Sequence, residues 1–278
     1  MNDKKFLDTY FDRIGYGGSR VPSLDLLNDI TLAHVRNIPF ENLDILLGKN
    51  IDISLDAVFE KLIIQKRGGY CFEQNGLFLS VLSKLGFEVT PISARVRLDK
   101  PRDYIPPRTH VFLRVELSGT SWFTDVGVGG VSLTSAIQLI KNTEQKTNHE
   151  TRRIVYESNK YFHQVLFPHG WVDVCEFTLE EMPEIDRVLA NWYTSNHPKS
   201  HFKDRLIVAR AGDEGKRLTL VNRELSERDR YGLANKSIIK SPEELIKTLK
   251  EKFNLTFPLD TEFQTTGLQW ENDIDRLN

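Results

Sequence analysis

A chain of 278 residues with 37 Lys plus Arg against 39 Asp plus Glu has a formal charge of −2. That excludes a general electrostatic binder of nucleic acid, which needs a basic excess or stripe. Its 40% hydrophobic and 27% charged residues suit an ordinary globular protein with room for two or three small domains, and no apolar run reaches membrane-spanning length.

The start Met1-Asn2-Asp3-Lys4-Lys5 lacks the apolar stretch of a secretory signal. The two cysteines, Cys71 and Cys175, lie far apart in different local patterns, so a disulfide scaffold is not expected. Both points predict a cytoplasmic protein with free thiols and no membrane partner.

Leu7, Tyr10, Phe11 and Ile14 predict an N-terminal helix, ended by Gly15-Tyr16-Gly17-Gly18. Pro22-Ser23 opens a second, with Leu24, Leu27, Ile30, His34 and Val35 on one face; His34 reads as a core histidine with a backbone partner. Ile38-Pro39-Phe40-Glu41-Asn42 reads as a loop around an aromatic, and Ser54 as the cap of a helix through Ile63. Then comes Arg67-Gly68-Gly69-Tyr70-Cys71-Phe72-Glu73-Gln74-Asn75, with Leu77, Phe78, Val81, Leu82 and Leu85 at helical spacing behind it. Cys71 therefore sits at a helix start, where unpaired N–H groups and the helix dipole favour a thiolate. Read alone, the pattern also fits a small core residue after a glycine turn. The first third is a helical bundle.

After Gly86 the period becomes alternating, with strand positions around Val89 to Leu98 and a Pro- and Arg-rich loop from Lys100 to Arg108. His110 to Leu117 alternates strictly, and Trp122 to Val126 follows as its partner strand. The polar segment from Lys141 to Arg153 predicts an exposed loop with His149 in solvent. Tyr161–Phe167 and Trp171–Phe177 form a hairpin across Pro168-His169-Gly170, and Cys175 reads as structural. The middle third is an antiparallel sheet or barrel. A helix from Pro183 through Ile185, Val188, Leu189 and Trp192 bridges to a last domain. That domain has a hairpin around Gly212-Asp213-Glu214-Gly215 and a helix capped by Ser241-Pro242-Glu243-Glu244. The tail after Phe257 reads as irregular.

A nucleophilic cysteine needs a base, and the base needs an orienting group. If Ser118-Gly119 is a two-residue turn, Phe112 lies opposite Asp125, and His110 becomes a diagonal neighbour of Asp125 on one face. Asp125 could instead pair with Arg114 on that face, and a one-residue slip would separate the two altogether. Gly127-Val128-Gly129-Gly130 lacks the spacing of a dinucleotide fingerprint, but beside a catalytic aspartate it could offer N–H groups to a phosphate or an acyl oxygen. His197 and His201 flank Pro198 and do not form a helical metal pair, and no Cys/His cluster has zinc spacing, so no metal is implied.

Four motifs together resemble the arylamine N-acetyltransferase family: the segment 67–75, the Ile38–Asn42 loop, Thr109-His110-Val111, and Asp125-Val126-Gly127-Val128-Gly129-Gly130. They occur in that family's order and spacing across the whole chain. The resemblance implies a Cys71, His110, Asp125 triad in a papain-like cysteine catalytic core. It also implies an α+β multidomain fold: a helical domain over 1–87, a β-barrel domain with bridging helix over 88–195 and an α/β lid over 196–278. Acetyl-CoA would be the acetyl donor, with arylamines, arylhydrazines or hydrazides as acceptors. The family's acceptor-pocket positions fall on Phe40, Val96 and Val128, and its coenzyme-cradling loop on Gly127, Val128, Gly129 and Gly130. Val96 and Val128 are smaller than the aromatics some members carry. A thiol protease or transglutaminase acting on peptides, and a non-enzymatic binding protein, are the competing readings.

Overall fold

The structure, a computed structural model, describes residues 2–98 and 100–270. Helix α1 (Asp3–Ile14) is capped by Asn2 and closed by Gly15 at φ +68°, and α2 (Leu24–Asn37) is capped by the Ser23 hydroxyl, which accepts from the Leu26 N–H. Their apolar faces meet Leu77, Phe78, Val81 and Leu82 in one core. The Ile38–Asn42 segment departs from the loop expectation. It contains a short strand, β1 (Phe40–Glu41), because a distant strand supplies its partner. Then come α3 (Leu43–Leu46), and α4 (Leu55–Phe59) running into a π-helical turn at Glu60–Ile64. Ser54 precedes α4, but its hydroxyl makes no cap hydrogen bond, and its own N–H donates to Asp52. Helix α5 (Cys71–Lys84) begins on the cysteine.

The next eight strands are β2 (Glu88–Val96), β3 (His110–Leu117), β4 (Thr120–Thr124), β5 (Ile137–Gln138), β6 (Gln145–Lys146), β7 (Thr151–Glu157), β8 (Lys160–Phe167) and β9 (Gly170–Glu181). They form one antiparallel sheet in the order β5-β4-β3-β2-β9-β8-β7-β6. Its two edges are joined by a side chain. The Gln145 amide accepts from the Gln138 N–H at 2.6 Å and donates to the Gln138 carbonyl at 2.9 Å, doing the work of a backbone pair. The sheet is thereby a nearly closed barrel, filled by Ile92, Phe112, Phe123, Leu133, Ile154, Cys175 and Phe177. Phe123 stacks on Phe177 with Phe112 edge-on to both, the offset arrangement that ring quadrupoles favour.

The segment 141–153 is not the exposed loop its polarity suggests. It holds β6 and the start of β7, and His149, Glu150 and Arg152 are all buried. Glu150 bonds Arg152 at 2.9 Å, Arg217 at 2.8 and 3.0 Å and Arg228 at 2.7 Å, so the charges are inside because they are paired. Burial opposes ionisation of Glu150, but the three guanidiniums hold its carboxyl well below the usual range. That contribution to stability is complete above the ordinary carboxylate range and is lost as pH falls below it. Glu150→Gln should destabilise the fold by about 3–5 kcal/mol, the cost of leaving buried charge unbalanced. Urea denaturation at neutral pH measures it, and an unchanged midpoint would refute the role.

The chain continues through α6 (Glu184–Asn196), α7 (His201–Asp204), β10 (Ile207–Ala211), β11 (Arg217–Val221), β12 (Glu224–Arg228), β13 (Ala234–Ile238) and α8 (Pro242–Phe253). A second antiparallel sheet runs β1-β10-β11-β12-β13, and α8 packs Leu245, Ile246, Leu249 and Phe253 onto it. Ser241 caps α8 as expected, with Pro242 in its first turn. Helix α6 lies where the sequence puts it, but Ile185, Val188, Leu189 and Trp192 face outward.

Candidate active site

The loop before α5 is held by charge. Glu41 accepts two guanidinium bonds from Arg67, at 2.9 and 2.7 Å, and the N–H groups of Gly68 and Leu43. Glu73 accepts from the Tyr70 N–H at 3.0 Å and from Lys61 at 2.6 Å, capping the helix start. A Cβ on Gly69 would fall 2.7 Å from the Glu73 carboxylate, so only glycine lets the loop close over it. The Glu73 and Gln74 N–H groups both turn to the Tyr70 carbonyl, while those of Cys71 and Phe72 have no partner among the described residues. Two free donors thus flank the thiol.

His110 begins β3 and Asp125 follows the end of β4. Ser118 and Gly119 both have positive φ (51° and 74°), the requirement of a two-residue type I′ turn. The ladder then runs from Leu117 opposite Thr120 to Leu113 opposite Thr124, and one further step brings Asp125 opposite Phe112. His110 Nε2 and Asp125 Oδ2 are 2.7 Å apart, and the negative sulfur of Cys71 adds to the carboxylate in raising the proton affinity of that imidazole. Arg114 turns to Glu116 instead, at 3.1 Å. Cys71 Sγ also lies 3.6 Å from the Thr109 carbonyl. All three side chains are buried.

Burial alone lowers the proton affinity of His110, but the Asp125 carboxylate and the Cys71 sulfur outweigh it and raise its pKa to about 10. For Asp125 burial acts upward, and His110, Asn75 and the Gly127 N–H bring the pKa below its ordinary value. An imidazolium therefore faces the sulfur at neutral pH, the counter-ion a thiolate nucleophile needs.

Asn75 is the residue to which sequence reasoning gave no role. Its Nδ2 donates to Asp125 Oδ1 at 2.9 Å and to the Val111 carbonyl at 2.7 Å, and its Oδ1 accepts the Val126 N–H at 3.1 Å. With the Gly127 N–H at 3.0 Å, Asp125 Oδ1 is saturated and only Oδ2 is left for His110. The available signal was a polar residue four positions after Cys71, hence on the same face of α5. His34 is a buried core histidine, but its partners are side chains. Its Nδ1 meets the Tyr10 hydroxyl at 2.9 Å and its Nε2 meets Gln74 Oε1 at 2.6 Å. Gln74 in turn donates to the Pro39 and Gly69 carbonyls. Burial lowers the His34 pKa to about 4, which keeps it neutral.

The segment from Gly127 to Gly130 presses against this centre. A Cβ on Gly127 would stand 2.7 Å from the Cys71 Cα, and one on Gly130 would stand 2.7 Å from a Thr219 methyl. Phe40 packs with Tyr70, Cys71 and Phe72 and against the Phe202 ring. Val96 lies two residues beyond Ala94, which opposes His110, so it shares the His110 face of the sheet. Val128 packs elsewhere, with Val131, Val165 and Val174. The structure thus gathers Cys71, His110, Asp125 and Phe40 tightly, while Val128 belongs to a neighbouring apolar group. Among the described residues no cluster of three or more His, Cys, Asp or Glu could hold a metal ion.

Cys175 contrasts with Cys71. It is fully buried in the barrel, and burial pushes its thiol well above the ordinary range. Iodoacetamide at mildly acidic pH should label Cys71 much faster than Cys175. Peptide mapping that finds equal labelling, or Cys175 ahead, would count against an activated Cys71.

Residues 23–261 match the family model described as N-acetyltransferase. The arylamine N-acetyltransferase of Escherichia coli (strain K12) is 37% identical over 249 residues, which span 90% of this chain and 88% of that protein. The chain belongs to the arylamine N-acetyltransferases. Solved structures of the family agree in shape. The arylamine N-acetyltransferase of M. tuberculosis superposes with a TM-score of 0.86 at 39% identity, covering 89% of this chain and 93% of that one. The Mycobacterium marinum arylamine N-acetyltransferase in complex with CoA gives 0.86 at 35% identity, covering 89% and 92%.

Proposed function

We propose that this chain transfers the acetyl group of acetyl-CoA to the nitrogen of arylamines, arylhydrazines or hydrazides, through an acetyl group held on Cys71. The observation that carries the reading is the buried His110–Asp125 pair, 2.7 Å apart, with the Cys71 sulfur, at the start of α5, 3.6 Å from the carbonyl of the adjacent Thr109. The Cys71 thiolate attacks the thioester carbonyl, and the free N–H groups of Cys71 and Phe72 supply the donors that oppose the developing oxyanion. CoA leaves with the proton from His110. The amine then attacks acetyl-Cys71, His110 takes its proton, and the amide departs as the thiolate reforms.

Phe40, Val96 and Val128 are the proposed acceptor contacts, and Gly127 to Gly130 the proposed border of the coenzyme. The centre is papain-like in its logic: the nucleophile opens a helix, and its base and orienting acid come from a sheet. Domains over 1–87, 88–195 and 196–278 are the proposed division, and the cytoplasm the proposed compartment. The relationship to a family member studied with CoA supports the donor. Initial velocities at several fixed concentrations of an arylamine test the mechanism. Parallel double-reciprocal lines against acetyl-CoA are expected; lines that converge would mean a ternary complex and overturn it.

A further inference from the structure

Helix α6 wears its amphipathicity the wrong way round. Its inward face is Ala190, Asn191, Thr194 and Ser195. Asn191 donates to the Ile51 carbonyl at 2.9 Å and accepts from the Tyr70 hydroxyl, next to Cys71. The large apolar residues lie opposite, at the spacing i, i+3, i+4 and i+7. Ile185 is 63% exposed, Val188 42%, Leu189 62% and Trp192 59%. One exposed leucine needs no explanation, but four apolar side chains aligned on one stripe mark a surface made to be covered.

We propose that this stripe is the interface by which two copies of the chain pair, antiparallel, about a two-fold axis crossing α6 between Val188 and Leu189. Charge selects this occupant. Glu181, Glu184 and Asp186, with Arg187 among them, leave the start of the helix net acidic, and Lys199, Lys203 and Arg205, with Asp204 among them, leave the segment after its end net basic. Arg187 interacts with Glu184 and Glu181, while Lys199 and Lys203 are in no ion pair among the described residues. In the antiparallel arrangement Ile185 meets Trp192 of the partner and Val188 meets Leu189 of the partner. The acidic start of each helix then lies toward the basic end of the other, as the helix dipoles also favour. A parallel pair would set like against like. An anionic lipid surface fits less well, because α6 carries Glu184 and Asp186 against a single basic residue, Arg187, where a membrane-surface helix is rich in Lys and Arg.

Sedimentation velocity of the full chain from micromolar to near-millimolar concentration tests this, with acetyl transfer followed in parallel. A concentration-dependent dimer is expected. Leu189→Glu, at the centre of the contact, and Trp192→Glu, its largest apolar side chain, should each raise its dissociation constant by at least about tenfold, while leaving acetyl transfer unchanged. Glu181→Lys should weaken the dimer, and adding Lys199→Glu should restore it. A wild-type chain that stays monomeric throughout overturns the proposal. So does a dimer indifferent to all four substitutions, which would place the contact on another face. A monomer that co-sediments with phosphatidylserine vesicles would assign the stripe to lipid instead, and equally overturns pairing.

Discussion

Mixed briefly with acetyl-CoA and no acceptor, the protein should gain the mass of one acetyl group, and peptide mapping should place it on Cys71. Cys71→Ala should gain none and lose acetyl transfer, because the route carries the acyl group on that sulfur. Cys175 cannot substitute: it is enclosed in the barrel and burial holds it as a thiol. An aromatic amine added to the acetylated protein should return the mass to its starting value and yield the N-acetyl product. Water could remove the acetyl group before it is seen, so release of CoA should be followed on the same mixing time as a burst equal to the enzyme. Absence of both adduct and burst, with product formed only when donor and amine are present together, would sink the covalent route.

Asp125→Asn should cost nearly as much, and the hydrogen bonds say why. Asp125 Oδ1 already accepts from Asn75 and from the Gly127 N–H, so an asparagine there must keep its oxygen on that side. Its NH2 group then faces His110 Nε2 and obliges that nitrogen to accept. The ring proton moves to Nδ1, on the sulfur side, where it can no longer take a proton from the thiol or the amine. The same change in a serine-protease triad lowers kcat by about 10⁴. A loss approaching that size is expected here, with little change in thermal stability. Near-normal turnover by a folded Asp125→Asn protein would remove Asp125 from the mechanism.

The parts of this site that could be read from the residues are those fixed by local geometry. The glycine pair and the helical spacing after Phe72 are enough to put Cys71 at a helix start. Strict alternation from His110 and a Ser-Gly turn set the register that joins His110 to Asp125, leaving only Arg114 as a rival, and that rival is occupied by Glu116. What escaped depends on partners far away in the chain. Phe40 and Glu41 become a strand only because Val208 and Ala209 lie beside them. Glu150 is buried because arginines from three strands converge on it, and no local pattern reports that. Strand β13 was invisible for the opposite reason: all five residues are exposed, so there is no apolar alternation to see. Asn75 stood within a quoted motif, yet its task is defined by atoms some fifty positions on.

Strand β1 has a mechanical consequence. Phe40 bridges Gly69 on one side and pairs with Ala209 on the other, and the Glu41 N–H reaches the Gly69 carbonyl at 3.0 Å. The backbone next to the nucleophile is thus sewn, through two residues, into the C-terminal sheet. That sheet cannot swing away as a rigid cover without tearing the seam that positions Cys71. A hinge-like opening of that sheet would have to break the β1 pairing and pull on the backbone of Gly69, so substrate entry by rotation of side chains disturbs the nucleophile least.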